Sequence, residues 1–511
     1  MNALDRLVSA FSPRRGLERA RARHAIGRIS AYAATRADED RGWTRLGAGA
    51  GPNAGIEGVL PRLKEIARQQ VRDNPWAHRA LRIAVAHKVG TGIVPRFDTG
   101  DRAADKRAQL LWDRFARRCD AHGMLDAYGL QALAERSRMM DGEALWRFRF
   151  LTREQQRRRG LPLPLVLECV EGDALESPGG NALTGPRIVQ GVEFGADGMR
   201  EAYHFRREDA GAAARPDRVP AEFVRHVFRV LRPGQVRGVP DWASIMARLG
   251  KLGDFEEASL DQAKVQACLA AFVMGGNPPE GGNQRPEYFT PGSISYLPDG
   301  EEVRFNTPSG AGGFEPYAFH FLMSFAVAFD LTYDQLTGDM RQANFSSLRA
   351  GRTDQRRLAE QDQWLMTVPA VCEPTADAFV RAAVLAGELE DRPGGYPVKW
   401  QPPRHEMVDP VRETGALVQA VRAGVMTWGQ AVAELGWDPR EQIAEIKRWN
   451  AEFDGAGLIL DTDPRRVATS GQAQDAKQLA AVEIDATGAA RPLRPEPEPD
   501  AAPPQAKGRL H

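Results

Sequence analysis

The chain has 511 residues, enough for several domains, and 42% of them are hydrophobic. Its 68 lysines and arginines balance 68 aspartates and glutamates, which argues against a protein that holds nucleic acid through a general excess of positive charge. The four cysteines, Cys119, Cys169, Cys268 and Cys372, lie far apart with no CxxC pair. The sequence therefore predicts neither a disulfide framework nor a zinc site, and favours incidental thiols in a reducing cytoplasm.

The first 55 residues are predicted to form a basic arm and a linker. Six arginines lie within Met1–His24, but this segment lacks the sustained apolar core of a secretory signal. The segment Gly47–Gly55 is rich in glycine and alanine, as flexible linkers are. We therefore expect a peripheral arm on a chain that stays in the cytoplasm where it is made.

Residues 56–239 show helical and strand patterns in runs. Asn74-Pro75 predicts a helix start, with Asn74 as the cap and Pro75 in the first helical position, and this helix should stop at Val89–Gly92. Further helices are predicted over Asp105–Cys119 and Tyr128–Met140, and strands over Ala144–Phe150, Leu165–Val170, Gly191–Phe194 and Glu201–Phe205. This order indicates an α+β domain rather than an alternating βαβ series.

Residues 240–315 are predicted to contain a long helix followed by a small β module. The helix should cover Pro240–Met274 and end at the glycines and prolines of Gly275–Pro279. In the Gly- and Pro-rich segment that follows, Ser293–Leu297 and Glu302–Phe305 flank the turn Pro298-Asp299-Gly300. That arrangement predicts a β-hairpin.

An apolar helix, a polar turn and an arginine-striped helix come next. Tyr317–Phe329 is apolar on every side but, at about 13 residues, is too short for a bilayer, which needs roughly 20. We expect it to be buried by its own fold or by neighbouring subunits. After a break at Thr337–Asp339, Asn344 can cap a helix that carries arginines along one face. Spacing alone also allows an ordinary solvated helix there.

The C-terminal part divides into a helical and a polar segment. Short helices are predicted over Glu413–Arg422, Gln430–Leu435 and Gln442–Phe453. Beyond Asp461 the chain has no aromatic residue, and Arg491–Lys507 is Pro-rich and polar. Such a composition offers too little apolar surface to offset the entropy of ordering, so we expect disorder over residues 461–511.

Several segments resemble, in order, the lambda family of tailed-phage portal proteins. They are RQQVRDNPWA, KVGTGIVP, DGEALWRF, GVEFGADGMREAYHF, HVFRVLRPGQVRGVPDW and LTYDQLTGDMRQANFSSLRAGRTDQRR. The resemblance runs from Arg68 to about Leu460. It implies an α+β portal fold with an α/β wing, long stem and spine helices, a small β-rich clip and a helical crown.

This resemblance implies a division of the chain into regions. They are the arm and linker (1–55), the wing (56–239), the first stem helical region (240–274), the clip (275–315), the second stem helix (316–336), the tunnel loop (337–345), the spine helix with the return to the wing (346–404), the crown (405–460) and the tail (461–511).

The same resemblance implies a set of site residues. In the tunnel loop they are Asp339, Arg341, Gln342 and Asn344; at a subunit interface or the lumen they are Phe325, Phe329, Arg349, Arg352 and Arg356; in the clip, for partner contacts, they are Tyr288, Tyr296 and Asp299. A duplex that must slide requires few exposed charges, because each neutralised phosphate adds affinity. We expect the three helical arginines to make ion pairs between subunits rather than to contact DNA.

The implied function is structural rather than enzymatic, without a cofactor or metal. The resemblance implies a homo-oligomeric ring, a dodecamer in the family, at one capsid vertex of the virion, made in the cytoplasm of the bacterial host. It would be the channel for packaging and ejection of double-stranded DNA, which passes through non-specifically. The expected partners are the terminase large subunit, the major capsid and scaffold proteins, and the head-tail connector, with no membrane.

Catalytic motifs are nearly absent from the sequence. Gly250-Lys251 is followed by Leu252 and lacks the upstream glycine of a phosphate-binding loop, and no HExxH motif is present. The alternative function that remains open is a metal-dependent, phage head-associated nuclease or hydrolase. It would use the carboxylates of Asp141 and Glu143, or of Glu168 and Asp173.

Overall fold

The computed structural model describes residues 51–177, 187–207, 215–267, 271–274, 294–297, 314–341, 344–403, 407, 409–458, 460, 463, 465, 482–484 and 490–492. Two compact units are present, residues 1–413 and residues 414–511. The first unit combines helices and sheets, which confirms the mixed helix and sheet composition expected from the sequence.

The helices and strands follow the chain in this order. The first part contains α1 (Leu60–Asp73), α2 (Pro75–Lys88), β1 (Val94–Phe97), α3 (Arg102–Ala116), α4 (Ala127–Asp141), β2 (Glu143–Phe150), α5 (Arg153–Arg159), β3 (Leu165–Glu171), β4 (Arg187–Val189), β5 (Val192–Phe194), β6 (Arg200–Phe205), β7 (Asp217–Pro220) and β8 (Val224–Phe228). The second part contains α6 (Ala243–Ala267), β9 (Ala271–Met274), β10 (Ile294–Leu297), α7 (Phe314–Val327), α8 (Tyr333–Thr337), α9 (Phe345–Asp362), a π-helical segment (Gln363–Cys372), α10 (Glu373–Ala386), β11 (Val398–Gln401), α11 (Pro410–Arg422), α12 (Trp428–Glu434), α13 (Pro439–Gly455), β12 (Val482–Ile484) and β13 (Ala490–Pro492).

The predicted start of α2 is confirmed in atomic detail. Oδ1 of Asn74 accepts hydrogen bonds from the backbone N–H groups of Trp76 and Ala77, at 2.9 and 3.2 Å. These two donors have no partner within the helix, and the proline at position 75 has no N–H to satisfy. Asn74 therefore fixes where α1 ends and α2 begins.

Strand β2 is the centre of the main antiparallel sheet. It pairs with β3 on one side and β8 on the other, so Leu145 lies opposite both Val170 and His226. A second antiparallel sheet has the strand order β4-β5-β6-β7. The first residues of β2 are buried on both faces, because α4 and α10 cover one side and the second sheet packs near the other.

An aromatic cluster joins the N-terminal helices to the returning chain. The rings of Trp112 and Phe379 meet edge to face with centroids 5.0 Å apart, and Phe115 lies 5.4 Å from Phe379. All three side chains are essentially inaccessible to solvent. Edge-to-face pairs add about 0.5–1.5 kcal/mol to the free energy of burial. Helix α10 is thereby held in the same core as α3, despite their separation in sequence.

A second core lies between helices α1, α2, α6 and α7. Trp242 immediately precedes α6, and its ring lies 5.4 Å from Phe329 and 6.4 Å from Phe325. Further along α6, the Phe255 ring lies 4.4 Å from Tyr317. Because the start of α6 meets the end of α7 and the later part of α6 meets its beginning, the two helices run antiparallel.

The β module after α6 differs from the prediction. The helix ends at Ala267 rather than Met274, and Ala271–Met274 is a strand that pairs in parallel with Ile294–Leu297. The segment Ala271-Phe272-Val273-Met274 has the aromatic and β-branched residues that favour a strand. The strand expected at Ser293–Leu297 is present as Ile294–Leu297, and it pairs with β9, which the sequence did not predict. The other predicted arm, Glu302–Phe305, lies outside the described residues.

The helix after the polar turn continues well beyond its arginines. Helix α9 leads directly into the π-helical segment and then into α10, so helical structure extends from Phe345 to Ala386. Pro369 lies inside this segment. Proline donates no backbone hydrogen bond and its ring clashes with the preceding turn of an α-helix, which the wider π turns accommodate.

The two predicted peripheral segments are partly ordered. Asn53, assigned to the linker, accepts a hydrogen bond from the Val236 N–H at 2.8 Å and donates one to the Gly234 carbonyl at 3.0 Å. In the predicted disordered tail, β12 and β13 pair antiparallel, each with three residues. Val482 and Ile484 have high β propensity, which explains a local strand in an otherwise polar segment.

Among the described residues, none of the helices combines the length and the apolar content needed to cross a bilayer.

Candidate functional site

The turn between α8 and α9 is defined by a glycine at its start and a cap at its end. Gly338 ends α8 in the left-handed conformation, with φ 75°, which a residue without a Cβ adopts at little cost. Asn344 begins α9, where its Oδ1 accepts a hydrogen bond from the Ser347 N–H at 2.8 Å. The predicted cap is confirmed.

Two predicted tunnel-loop residues bind each other. Nε and Nη2 of Arg341 donate to the Asp339 carboxylate at 3.0 and 2.8 Å, and Nη1 reaches Oε1 of Glu315 on α7 at 3.1 Å. The hydrogen bonds from the side chain and backbone of Arg341 lower the pKa of Asp339 to about 2. The guanidinium is thus shared by two carboxylates, and the loop presents little free positive charge. Gln342 lies outside the described residues.

The base of the loop is held by α2 and by close contact between helices. Nε of Arg79 donates to the Leu336 carbonyl at 2.6 Å, which satisfies a carbonyl at the end of α8. On the other side, a Cβ at Gly351 would lie 2.7 Å from Cγ2 of Thr332. Only a glycine at that position lets α9 approach the start of α8 so closely. Sequence analysis did not identify either contact.

The predicted arginine stripe lies on α9 with unequal exposure. Arg349 is exposed, whereas Arg352 and Arg356 are half-buried. On the same helix Gln355 and Ala359 are buried, so the apolar and amide side chains hold one face of α9 against the fold. Of the three arginines, Arg349 is the one most accessible to a neighbouring chain.

Phe325 and Phe329 are not on a surface, which corrects the expectation that they contact another subunit or a lumen. Their exposed fractions are 0% and 1%. Both rings pack with Trp242 inside the core between α6 and α7. The sequence could not distinguish the inward from the outward face, because Tyr317–Phe329 is apolar all round. The structure shows that Tyr317, Met323 and Val327 are the large hydrophobic residues of this stretch that are exposed, at 44%, 40% and 67%.

Glu143 is enclosed by donors and does not fit a metal site. Its carboxylate accepts hydrogen bonds from Lys64 Nζ at 2.8 Å, from Arg237 Nε at 2.9 Å, and from the Gly238 N–H at 3.0 Å, and its Oε2 lies 2.9 Å from His226 Nε2. Burial opposes the charged form, but the hydrogen bonds from His226 and Arg237 outweigh it and hold the pKa of Glu143 well below its usual range. No oxygen is left for a cation.

Burial also lowers the pKa of His226 to about 4. The imidazole is therefore neutral near pH 7, and Nε2–H donates to Glu143. Nδ1 is then left to accept a hydrogen bond from Arg200 Nη1 at 2.9 Å. Glu143 and Arg200 thus select the tautomer of His226 that carries its proton on Nε2.

The other carboxylates of the nuclease alternative are likewise engaged by basic side chains. Arg68 binds both oxygens of Asp141, at 2.9 and 2.6 Å, and also reaches Asp173 at 2.7 Å. Glu168 lies 3.5 Å from Arg147 and 3.3 Å from Arg149. Within the described part of the chain, no group of three or more histidine, cysteine, aspartate or glutamate side chains is arranged to hold a metal ion. The paired carboxylates thus argue against the proposed metal-dependent chemistry.

A second buried charge network fixes the far end of α9. Lys88 Nζ lies 2.6 Å from Oδ2 of Asp362, and Arg229 Nη2 lies 2.7 Å from the same oxygen. Arg138 on α4 binds Glu135 and Asp241, at 2.7 and 2.8 Å. Burial opposes ionisation of Asp362, but Lys88 and Arg229 together keep its pKa below the usual value. Sequence analysis missed this network because its members lie far apart in the sequence.

The predicted clip residues are largely outside the described chain. Tyr296 belongs to β10, whose strand pairing is described but whose side-chain contacts are not. Tyr288 and Asp299 lie outside the described residues.

The structure thus holds a polar loop between packed helices, and the carboxylates of Asp141 and Glu143 are paired with basic side chains. The family model described as Phage portal protein, lambda family, matches residues 36–363. This match covers more than half of the chain and includes the loop and both flanking helices. The chain belongs to the lambda family of phage portal proteins.

Individual relatives are distant in sequence. The probable portal protein of Halomonas phage phiHAP-1 is 24% identical over 433 residues, which cover 78% of this chain and 81% of that protein. Portal protein B of Escherichia phage lambda is 22% identical over 279 residues, covering 47% and 52% of the two chains. Among solved structures, a chain of the virion of a native gene transfer agent particle is similar, with 15% identity, a TM-score of 0.39, and coverage of 81% of this chain and 99% of that chain.

Proposed function

We propose that the chain forms a homo-oligomeric ring, a dodecamer, at one vertex of a phage capsid, and that double-stranded DNA passes through its channel during packaging and ejection. The observation that carries the proposal is the match to the lambda portal family across residues 36–363, which includes the loop between α8 and α9. The ring belongs to the virion, and it acts by position and shape rather than by catalysis.

We assign the regions of the chain to the parts of such a ring. The wing is residues 56–239, the stem is the antiparallel pair α6 and α7, and the clip is residues 275–315. The tunnel loop is residues 337–345, the spine helix and the return to the wing are residues 346–404, and the crown is residues 405–460. The antiparallel packing of α6 against α7 supports the stem, because the segment between them must return the chain to the same end.

The charge arrangement of the tunnel loop suits DNA that slides. The guanidinium of Arg341 binds both Asp339 and Glu315. Its attraction for a DNA phosphate is therefore weaker than that of an unpaired arginine. Every phosphate that a protein neutralises releases counterions and adds affinity. A loop with paired charges therefore touches the duplex weakly, and repetition around the ring sums many weak contacts.

We assign the subunit contact to the outward face of α7, because Phe325 and Phe329 are buried. His320, Met323 and Val327 are exposed and follow one another at i, i+3 and i+7 along one side of the helix. Half-exposed apolar side chains at this spacing suit a neighbouring helix of another subunit. Arg349 and Arg352 on α9 are assigned to ion pairs at the same interface.

We assign the partner proteins according to the proposed position of each region in the ring. The clip, with Tyr288, Tyr296 and Asp299, is the proposed docking site for the terminase large subunit and, after packaging, for the head-tail connector. The major capsid and scaffold proteins would surround the wing.

The test is the mass and shape of the purified full-length chain. We expect a ring of about a dozen chains by negative-stain electron microscopy and by native mass measurement. A head-assembly assay in which rings are incorporated and DNA is packaged tests the second half of the proposal. A monomer or small oligomer that never forms rings would refute it.

A further inference from the structure

A short helix carries an unusual density of positive charge for a chain that is neutral as a whole. Helix α5, Arg153–Arg159, contains four arginines and a single glutamate in seven residues. Two more arginines, Arg117 and Arg118, follow α3 directly. We call these six residues the arginine cluster: Arg117, Arg118, Arg153, Arg157, Arg158 and Arg159.

Contacts between the two segments bring the cluster together. Nη2 of Arg118 donates to the Arg159 carbonyl at 3.2 Å, and the guanidinium of Arg159 donates to the Ala121 carbonyl. A helix of seven residues is only about 10 Å long at 1.5 Å per residue. The six residues therefore lie near one another, around the end of α3.

Most of these arginines have no structural partner. Within the described part of the chain, no ion pair or side-chain hydrogen bond joins Arg117, Arg153, Arg157 or Arg158 to another residue. Arg153, Arg157 and Arg158 are exposed. Cations near the end of a helix interact favourably with its dipole, which accounts for Arg157 and Arg158 in part. Arg153 stands at the first position of α5, where the same dipole is unfavourable.

The surroundings of the cluster indicate a polyanion. Helix α5 has the sequence REQQRRR, without one apolar side chain, and none of its residues is buried. Protein interfaces normally have an apolar or aromatic centre, which this helix does not offer. Arginine forks match phosphate oxygens, and several unpaired arginines on neighbouring segments suit the closely spaced phosphates of a duplex.

We propose that the arginine cluster binds the phosphate backbone of double-stranded DNA, independently of base sequence. The elements that carry it, α3 and α5, are not those that carry the tunnel loop, so this is a second contact for DNA on the surface of the protein. The balance of 68 basic and 68 acidic residues conceals it, because affinity for phosphate depends on local and not on total charge. The cluster holds DNA outside the channel.

Closed circular DNA provides the test, because a duplex without ends cannot thread a channel and reports only outer surfaces. We would measure binding of relaxed plasmid to the full-length protein across a salt series. The wild type is compared with R153Q/R157Q/R158Q. Each lost phosphate contact lowers the slope of log affinity against log salt by about 0.9, so we expect a slope smaller by up to about 3 and an affinity on the order of tenfold weaker.

The matched control removes three exposed arginines elsewhere in the same unit, R62Q/R72Q/R206Q, which are paired with neighbouring carboxylates. It changes net charge equally and should bind plasmid like the wild type. Equal oligomeric state and circular dichroism spectra would confirm that both variants fold. The proposal is overturned if the wild type fails to retard plasmid at low salt, if the control loses as much affinity as the cluster variant, or if the cluster variant keeps wild-type affinity. The last result would assign the cluster to an acidic protein surface.

This test is independent of the proposed channel. A tunnel-loop variant should keep full plasmid binding, and a cluster variant should keep the ring. Failure of either proposal therefore leaves the other standing.

Discussion

Nζ of Lys88 lies 2.6 Å from Oδ2 of Asp362, and both side chains are almost completely withdrawn from solvent. This pair joins the end of α2 to the end of α9. Helix α9 begins at the tunnel loop, so the buried pair sets the far end of the element that positions the loop.

Replacing Lys88 by Met should destabilise the protein markedly. Removing one partner of a buried pair leaves an uncompensated charge, at a cost of about 3–5 kcal/mol, although Arg229 also binds Asp362 and will reduce that cost. The control is K399M, because Lys399 is 77% exposed in its pair with Asp98 and exposed pairs contribute about 0–1 kcal/mol. Denaturant unfolding at fixed protein concentration checks both. Equal midpoints for the two variants would contradict the prediction.

Stability should rise with pH between about 4 and 6.5 through His226. Burial lowers the pKa of His226 to about 4, whereas an unfolded histidine titrates near 6.5. In that window the unfolded chain binds a proton that the native chain does not, so acid favours unfolding. The shift corresponds to about 3 kcal/mol.

The variant H226Q tests this assignment, because glutamine can also donate to Glu143 and accept from Arg200 but does not titrate. Thermal unfolding of wild type and variant across the window should show a shallower pH dependence for the variant. Parallel curves would assign the acid sensitivity to other groups. Glu143 has a lowered pKa, so its own contribution is present above about pH 4.3 and is lost below it.

The tunnel loop should tolerate loss of its charges but not of its cap. In D339A/R341A/Q342A we expect a normal ring and reduced packaging or retention of DNA, because residues of a turn between two helices contribute little to the core. Asn344 is assigned to the same loop and also caps α9, so N344A should in addition cost about 1 kcal/mol of stability. A packaging assay run beside a ring-stability measurement separates the two. Normal packaging by the triple variant would contradict the proposal that this loop contacts DNA in the channel.

Two faces of α7 should respond differently to substitution. In M323S/V327S we expect a folded protomer with weakened ring formation, because these side chains are exposed and proposed to meet a neighbouring subunit. F325A removes a ring from the core and should cost about 3–5 kcal/mol in the protomer itself. Circular dichroism measures the fold, and mass in solution measures the ring. Intact rings from the double serine variant would refute the assigned interface.

Local chemistry decided much of what the sequence could predict. Some features depend only on neighbours within a few residues, so the sequence alone predicted them. They are the helix caps at Asn74 and Asn344 and the strands β2 and β3. The family resemblance, carried by ordered motifs such as NPWA and SSLRAG, was likewise a property of the sequence alone and was confirmed.

Long-range packing decided the rest. The sequence showed that Tyr317–Phe329 must be buried, but an apolar helix has no polar face to mark its outside, so only Trp242 revealed that Phe325 points inward and Val327 outward. The sequence allowed a metal site at Glu143. In the structure Lys64 and Arg237, which are distant in sequence, bind its carboxylate instead. Four arginines of the cluster stand within seven residues of the sequence, but only the fold places Arg117 and Arg118 beside them, because the contact between Arg118 and Arg159 joins residues 41 positions apart.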